Sequence, residues 1–428
     1  MRSFITRALR RLGRTLEPLL APDAETDRVR LERFTEQSRD QQRLLKILAS
    51  EVTAHRAEVR KLIEARRNEN AEMQGRLADL RAAVRRQDAA LRRLARRGDI
   101  EAELELTEQR VLDRLDRMRR TAQPIIIGPW TGEIGFELLY WAPFVRWAVE
   151  KFDLSPERLV VVSRGGTASW YGLANSRYLD VFSVATPDEF RARTEATKKQ
   201  RGVSAFDRDV IRRVRAALGG GATQLLHPAL MYALFMPFWK DRAPLGRVLD
   251  HVRYQRVAPS RPAALPVLPP SYVAVRFYFS NCFPDTVDNR AFVSRVIEAL
   301  VEHHDVVMLN PGFRPDDHMD YSASSHPRVH AFDMSSHAGE NLAWQSAIIA
   351  GARAFVGTYG GFAYLAPFCG VRSVAFYSDR NYFTYHLGVA QRAFSDIDSD
   401  ALEAIDVRTV RMLEGVLGGV LRARVNSI

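Results

Sequence analysis

Two glycine turns and two carboxylates carry most of the chemistry legible in this sequence. Gly357-Thr358-Tyr359-Gly360-Gly361 stands between the apolar run Ala354–Val356 and the helical run Phe362–Phe368. Gly132 and Gly135 likewise follow the apolar run Pro124–Trp130 and precede a helical pattern that begins near Glu137. Such a turn leaves bare backbone N–H groups at the positive end of a helix dipole, which suits a phosphate or diphosphate. The same glycines equally serve tight packing of a strand on a helix. Glu137, with Glu133 in reserve, is a candidate general base for an attacking hydroxyl. The other reading of Glu137 is a carboxylate held at a helix N-terminus by the dipole.

Further candidates lie on the second half of the chain. Arg276 sits in the otherwise apolar run Val-Ala-Val-Arg-Phe-Tyr-Phe, and a buried arginine needs an anion. That anion is either a bound diphosphate or a structural carboxylate. Asn310-Pro311-Gly312 closes a strand where a nucleotide base could lie, and also reads as an ordinary strand-ending turn. Asp396, Asp398 and Asp400 have the spacing of a hard-ion run, but Asp400 with Glu403 reads better as a capping box for a final helix. Asp316, Asp317, His318 and Asp320 read as a solvated loop, so no metal site is expected. No G-x-S-x-G, Walker A or H-E-x-x-H pattern occurs.

The elements that must position these groups follow from composition and periodicity. With 428 residues, 46% of them hydrophobic, the chain has room for two or three domains with proper cores. Its two cysteines, Cys282 and Cys369, are too few and too far apart for a disulfide framework, which points to a reducing, cytoplasmic setting. The net charge of +11 is concentrated before residue 120. Residues 1–22 form a basic amphipathic pattern, with Arg7, Arg10, Arg11 and Arg14 opposite Phe4, Ile5, Leu9 and Leu12. This suits a helix lying peripherally on an anionic membrane face, or one packed on the protein itself.

Residues 28–122 read as a helical, coiled-coil arm. A weak heptad seam runs through Leu45, Leu48, Val52, Val59 and Leu62, resumes at Leu77, and is offset by a four-residue stutter after Met73. Such a stripe is buried either by a second copy of the chain, giving a homo-oligomer through 28–97, or by folding back as a hairpin. The arginines alternate with acids and lack interleaved aromatics, so nucleic acid is not the expected partner. From residue 124 the pattern changes to strand–helix alternation, which predicts parallel sheets. Residues 257–271, with five prolines, read as an extended linker. Two Rossmann-like domains result, at 124–256 and 272–428, within an α/β fold.

At this point the Ala354–Tyr377 stretch resembles the nucleotide-sugar-binding segment of the bacterial lipopolysaccharide heptosyltransferase family and its GT-B-fold relatives. Val356-Gly357, Gly361, Leu365-Ala366 and Gly370 match without gaps. Glu137, six residues before Pro143, corresponds to the acid of that family's N-terminal motif. Tyr359-Gly360, Tyr364 and Arg372 stand where the family has Asp-Thr, His and Pro. The resemblance implies a GT-B fold, with the acceptor on the 124–256 side and a nucleotide-sugar donor on the 272–428 side. It implies transfer to a hydroxyl of a glycan or lipid-linked acceptor, as in cell-envelope glycan synthesis, without a cofactor or an essential metal. Glu137 would then be catalytic, and Gly132, Gly135, Arg276, Asn310, Thr358, Tyr359, Gly360 and Gly361 would bind the donor. Two rivals remain. One is a catalytically silent scaffold assembled through its coiled coil. The other is an NAD(P)-dependent oxidoreductase, although the first glycines are not spaced G-x-G-x-x-G and the second strand ends Ser163-Arg164 without a ribose-binding acid.

Overall fold

The computed structural model describes residues 99–409 except 195–198, 310–318, 322–325, 333–336, 380–383 and 398–400. Before residue 99 it describes only positions 50, 58, 59, 61, 66 and 73, all helical. The basic segment 1–22, nearly all of the heptad seam, and Asn310 therefore lie outside the described residues. The chain divides into two units between Arg97 and Gly98, and every strand and helix named below belongs to the second.

That unit opens with helix α1 (Asp99–Arg119). Val111, Leu115 and Met118, spaced to fall on one helix face, are buried in the core of the first sheet region. Glu108 on the same helix takes bonds from Arg247 at 3.1 Å and pairs with His251 at 3.0 Å. This helix therefore belongs with the sheet unit, not with the arm to which its charge pattern assigns it.

Strands β1 (Ile125–Ile127), β2 (Leu159–Ser163), β3 (Arg177–Asp180) and β4 (Gln224–Leu226) form a parallel sheet in the order β3-β2-β1-β4. β1 is wholly apolar and wholly buried, as a central parallel strand must be when helices cover both faces. After β1 comes one interrupted helix. It starts as the short α2 (Ile134–Phe136), passes through a π-helical turn (Glu137–Trp141) and continues as α3 (Ala142–Lys151). Pro143 lies in the first turn of α3, so it opens that segment instead of kinking it. The remaining helices of this half are α4 (Ala168–Tyr171), α5 (Pro187–Thr194), α6 (Ala205–Ala217), α7 (Pro228–Trp239) and α8 (Gly246–Leu249).

Residues 257–271 contain no helix or strand. Beyond them β5 (Tyr272–Arg276), β6 (Tyr278–Phe279), α9 (Val287–Val301), β7 (Asp305–Met308), β8 (Met319–Asp320), β9 (Val329–Ala331), α10 (Asn341–Ala350), β10 (Ala354–Thr358), α11 (Gly361–Phe368), β11 (Arg372–Tyr377), α12 (Thr384–Asp396) and β12 (Leu402–Asp406) follow in order. The second sheet is parallel in the order β12-β11-β10-β5-β7-β9, and β6 pairs β8 antiparallel beside it. No helix starts after Asp400 as expected: residues 402–406 form strand β12, whose Glu403 pairs with Arg372 of β11, and helical backbone begins only at Val407. Cross-strand pairing won over the capping pattern there. The architecture is thus α/β with two Rossmann-like halves. One apolar cluster runs through both, from Val111 of α1 to Phe394 of α12, so the halves meet through core-like packing.

Candidate functional site

In parallel α/β sheets, ligands bind beyond the carboxyl ends of the strands. Here the loops leaving β1 and β2 meet the helix starts that follow β9 and β10. Gly361, the first residue of α11, packs directly on α2: a Cβ there would fall 2.7 Å from Ile134 Cγ2 and 2.9 Å from the Gly135 amide nitrogen. Gly135 in turn faces Tyr364 at 3.4 Å. The two matching glycine turns therefore meet head to head where the two halves touch. In the second loop, the Gly165 carbonyl accepts a 2.8 Å bond from the Ala343 amide of α10, and Trp170 Nε1 donates to Ser346 Oγ at 2.9 Å.

Each expected site residue except Asn310, which lies outside the described residues, has a definite place. Glu137 opens the π-helical turn, and its side chain is entirely buried. Its Oε1 accepts from Ser163 Oγ at 2.6 Å and Tyr171 OH at 2.8 Å, while Oε2 accepts from Arg164 at 3.1 Å. Burial raises this carboxyl above the ordinary range, and the Arg164 charge and the hydroxyl donors oppose that rise. The second Arg164 nitrogen donates to the Gly132 carbonyl at 2.6 Å, so the ion pair pins the turn that carries Glu133. Glu133 itself is exposed and caps α2 with extended backbone and no side-chain capping bond. The Tyr232 hydroxyl is raised first by burial and then by the charge of Glu133, with Arg201 opposing.

On the other side, Thr358 is buried and its hydroxyl is fully engaged by Tyr278, donating to the carbonyl at 2.9 Å and accepting from the amide at 3.0 Å. Tyr359 is buried as well, and its hydroxyl accepts from Tyr364 at 2.7 Å. Gly360 leaves room for the Tyr278 hydroxyl, which would lie 1.8 Å from an added Cβ. Arg276 found its anion inside the protein: Asp320 takes Nε at 3.1 Å and Nη2 at 3.3 Å, and Gln345 takes Nη1 at 2.8 Å. Its guanidinium also lies 4.4 Å from the ring centre of Phe362, in the first turn of α11. Of the two readings the sequence leaves open, the structural carboxylate is therefore the one present.

Sequence reading missed three participants. His386 of α12 bonds Tyr140 OH at 2.8 Å across the two halves, and burial, then Lys199, push its imidazole down to about 4. Lys199 lies 4.6 Å over the Phe136 ring. Asp180 accepts from the Gly166 and Phe182 amides at 2.8 and 2.9 Å, and burial pushes its carboxyl up to about 6. None of the three carries a local motif; long-range packing brings them in. Among the described residues no cluster of His, Cys, Asp or Glu has metal-binding geometry, and no helix is long and apolar enough to cross a membrane.

No protein-family model matches the sequence, and no curated protein does. Among solved structures, the chain is similar to the E. coli ADP-heptose lipopolysaccharide heptosyltransferase II, at 10% identity and a TM-score of 0.35, over 66% of this chain and 90% of that one. It is similar to a glycosyl transferase family 9 protein from Veillonella parvula at 11% identity and a TM-score of 0.36, over 69% and 89%. The glycosyltransferase SnogD from Streptomyces nogalater gives 12%, 0.32, and 65% against 95%. Likeness at this level assigns neither a substrate nor a residue's role.

Proposed function

We propose that this chain is a glycosyltransferase that moves a sugar from a nucleoside-diphosphate donor, held by the 272–428 half, to a hydroxyl acceptor on the 124–256 half. The observation that supports it is the meeting of the two glycine turns. An exposed carboxylate, Glu133, lies one residue from Ile134, and Ile134 packs on the first residue of α11. A carboxylate and a helix N-terminus without a side-chain cap thus lie on the same contact between the halves. In a single displacement the acceptor oxygen bonds to the anomeric carbon as the bond from that carbon to the diphosphate breaks. Glu133 takes the hydroxyl proton. The first-turn N–H groups of α11, which Gly360 leaves uncapped by any side chain, face the charge on the departing diphosphate. The scheme needs no metal ion for that charge. Glu137 acts through Arg164 as a positioning residue for the Glu133 turn, in place of the base role its sequence position suggests.

The arm at 28–97 would join copies of the chain. The basic segment 1–22 would hold it at the inner face of the plasma membrane, near a glycan or lipid-linked acceptor of cell-envelope synthesis. The silent-scaffold reading also has an observation in its favour: Thr358, Tyr359 and Gly360 are all occupied by internal packing.

Thermal-shift titration with nucleoside diphosphates and nucleotide sugars, followed by turnover of the stabilising donor, tests the proposal. Stabilisation by a nucleoside diphosphate is expected, with turnover lowered about 100-fold or more in Glu133→Gln at an unchanged Tm. Loss confined to Glu137→Gln, also at unchanged Tm, would return the base to Glu137. No stabilisation by any nucleotide would leave the scaffold.

A further inference from the structure

One buried polar chain in the second half ends on a donor that meets no acceptor among the described residues. Asp320 holds Arg276, Arg276 Nη1 donates to Gln345 Oε1 at 2.8 Å, and Gln345 Nε2 donates to Asn341 Oδ1. The direction of this chain is forced. Arginine can only donate, so the oxygen of Gln345 must face it, and the Gln345 nitrogen must face Asn341. Asn341 then has to offer its oxygen to Gln345, which leaves Nδ2 as the unused end of the chain. The amide orientation usually left to assignment is here fixed by the arginine. Asn341 is 4% exposed, Gln345 is fully buried, and among the described residues Asn341 Nδ2 has no hydrogen-bond partner. A buried donor of this kind is unfavourable until an acceptor reaches it.

The acceptor's chemistry follows from the surroundings. Asn341 is the first residue of α10, a ten-residue helix whose N-cap, Glu340, makes no side-chain bond. The helix start abuts the loop after β2, where Gly165 lies against Leu342 and Gly166 against Ala343. A helix N-terminus favours an anionic oxygen over a neutral one. We propose that Asn341 Nδ2 is a binding donor for a phosphate oxygen of the nucleoside diphosphate, and that Asp320, Arg276 and Gln345 are positioning residues that set its polarity. This rests on reading the 272–428 half as the donor-binding side.

The test titrates ADP, GDP, UDP and inorganic pyrophosphate into the full chain by calorimetry, with Asn341→Ala and Gln345→Glu alongside. Asn341→Ala removes the donor and should weaken the preferred diphosphate about tenfold; it also takes the Oδ1 acceptor from the buried Gln345 Nε2, so its denaturation midpoint holds or falls slightly. Gln345→Glu keeps Asn341 but reverses the chain. A glutamate accepts from Arg276 with one oxygen and from Asn341 Nδ2 with the other, so Asn341 turns its oxygen toward the ligand. An equal or larger loss is expected from this residue, which never touches the ligand. Unchanged affinity in both variants, with the wild type binding, overturns the proposal and leaves the donor-binding reading standing. Loss in Asn341→Ala without loss in Gln345→Glu overturns the polarity relay. A wild type that binds none of the four probes overturns the function and this assignment together.

Discussion

Both halves bury one arginine at the carboxyl end of a central strand, and the two are wired in opposite ways. Arg164 follows the last residue of β2, and its partner Glu137 has no exposed surface. Every group in that network closes on another: Ser163 and Tyr171 fill one carboxylate oxygen, Arg164 the other, and the spare guanidinium nitrogen ends on the Gly132 carbonyl. Arg276 ends β5 and pairs with Asp320, whose side chain keeps 15% of its surface exposed. Its remaining nitrogen passes the polarity through Gln345 to the buried, unfilled nitrogen of Asn341. A closed network holds a turn still, whereas an open one leaves a group for something else to complete. On the proposed function, the first half supplies the fixed side of the site and the second the side that receives the diphosphate.

The largest expected effect breaks or upholds that contrast directly. Arg164→Met strands a carboxylate with no access to water, and such a loss costs about 3–5 kcal/mol of unfolding free energy. Arg276→Met strands Asp320, which can turn part of its charge to solvent, so about 2 kcal/mol is expected. Chemical denaturation of both variants measures the difference. Equal losses would mean that the two networks are closed to the same degree.

A smaller effect reports on the contact between the halves. Gly361→Ala places a methyl against Ile134 and the Gly135 backbone, and overpacking of this kind costs about 1–3 kcal/mol. Ile134→Ala should recover part of it, because only one of the two clashing neighbours is a side chain. Gly132→Ala meets the Trp130 ring at 2.8 Å, wholly inside the first half. Ile134→Ala should not rescue it. A double-mutant cycle in which both glycine variants couple to Ile134 would deny that the contact between the halves is what Gly361 serves.

Much of the fold was legible because parallel strands and their helices announce themselves by period. The Ile125–Ile127 strand, the Pro-rich linker and the strand–turn–helix–strand at Ala354–Tyr377 fall where apolar runs and glycines put them. β3 was not legible: Arg177–Asp180 is half-polar and lies at a sheet edge, where burial does not impose an apolar run. The end of the chain misled for a related reason, since Leu402–Asp406 gains its strand character from pairing with β11 and not from its own pattern. At the site, residue types were readable but their occupancy was not. The sequence shows that Arg276 needs an anion; only the fold shows that Asp320, 44 residues later, supplies it. Glu137 and Glu133 look alike as carboxylates near glycines, and the π-helical turn that buries one while leaving the other exposed has no sequence signature.

The smallest expected effect concerns pH, and it too separates the halves. Asp180 fixes the amide of Gly166, and Gly166 lies against Ala343 of α10, so its carboxylate steadies the first half's wall at the point where the second half touches it. Burial raises its carboxyl from 3.8 to about 6, against the opposing bonds from Gly166, Phe182 and Tyr178. Between those two values the folded chain binds a proton that the unfolded chain releases. Stability contributed by the protonated group is therefore fully present below about pH 4, falls as pH rises toward 6, and is level above that. Glu137 shifts in the same direction, whereas Asp207, whose burial is outweighed by His227 and Ser204, acts in the opposite one. The informative quantity is consequently the difference between wild type and Asp180→Asn, in which those other groups cancel. That difference should decline by on the order of 1 kcal/mol between pH 4 and 6.5, measured by denaturant midpoints at half-unit steps. A flat difference would show that Asp180 reaches water in the folded chain, and the wall it supports would then be softer than its hydrogen bonds imply.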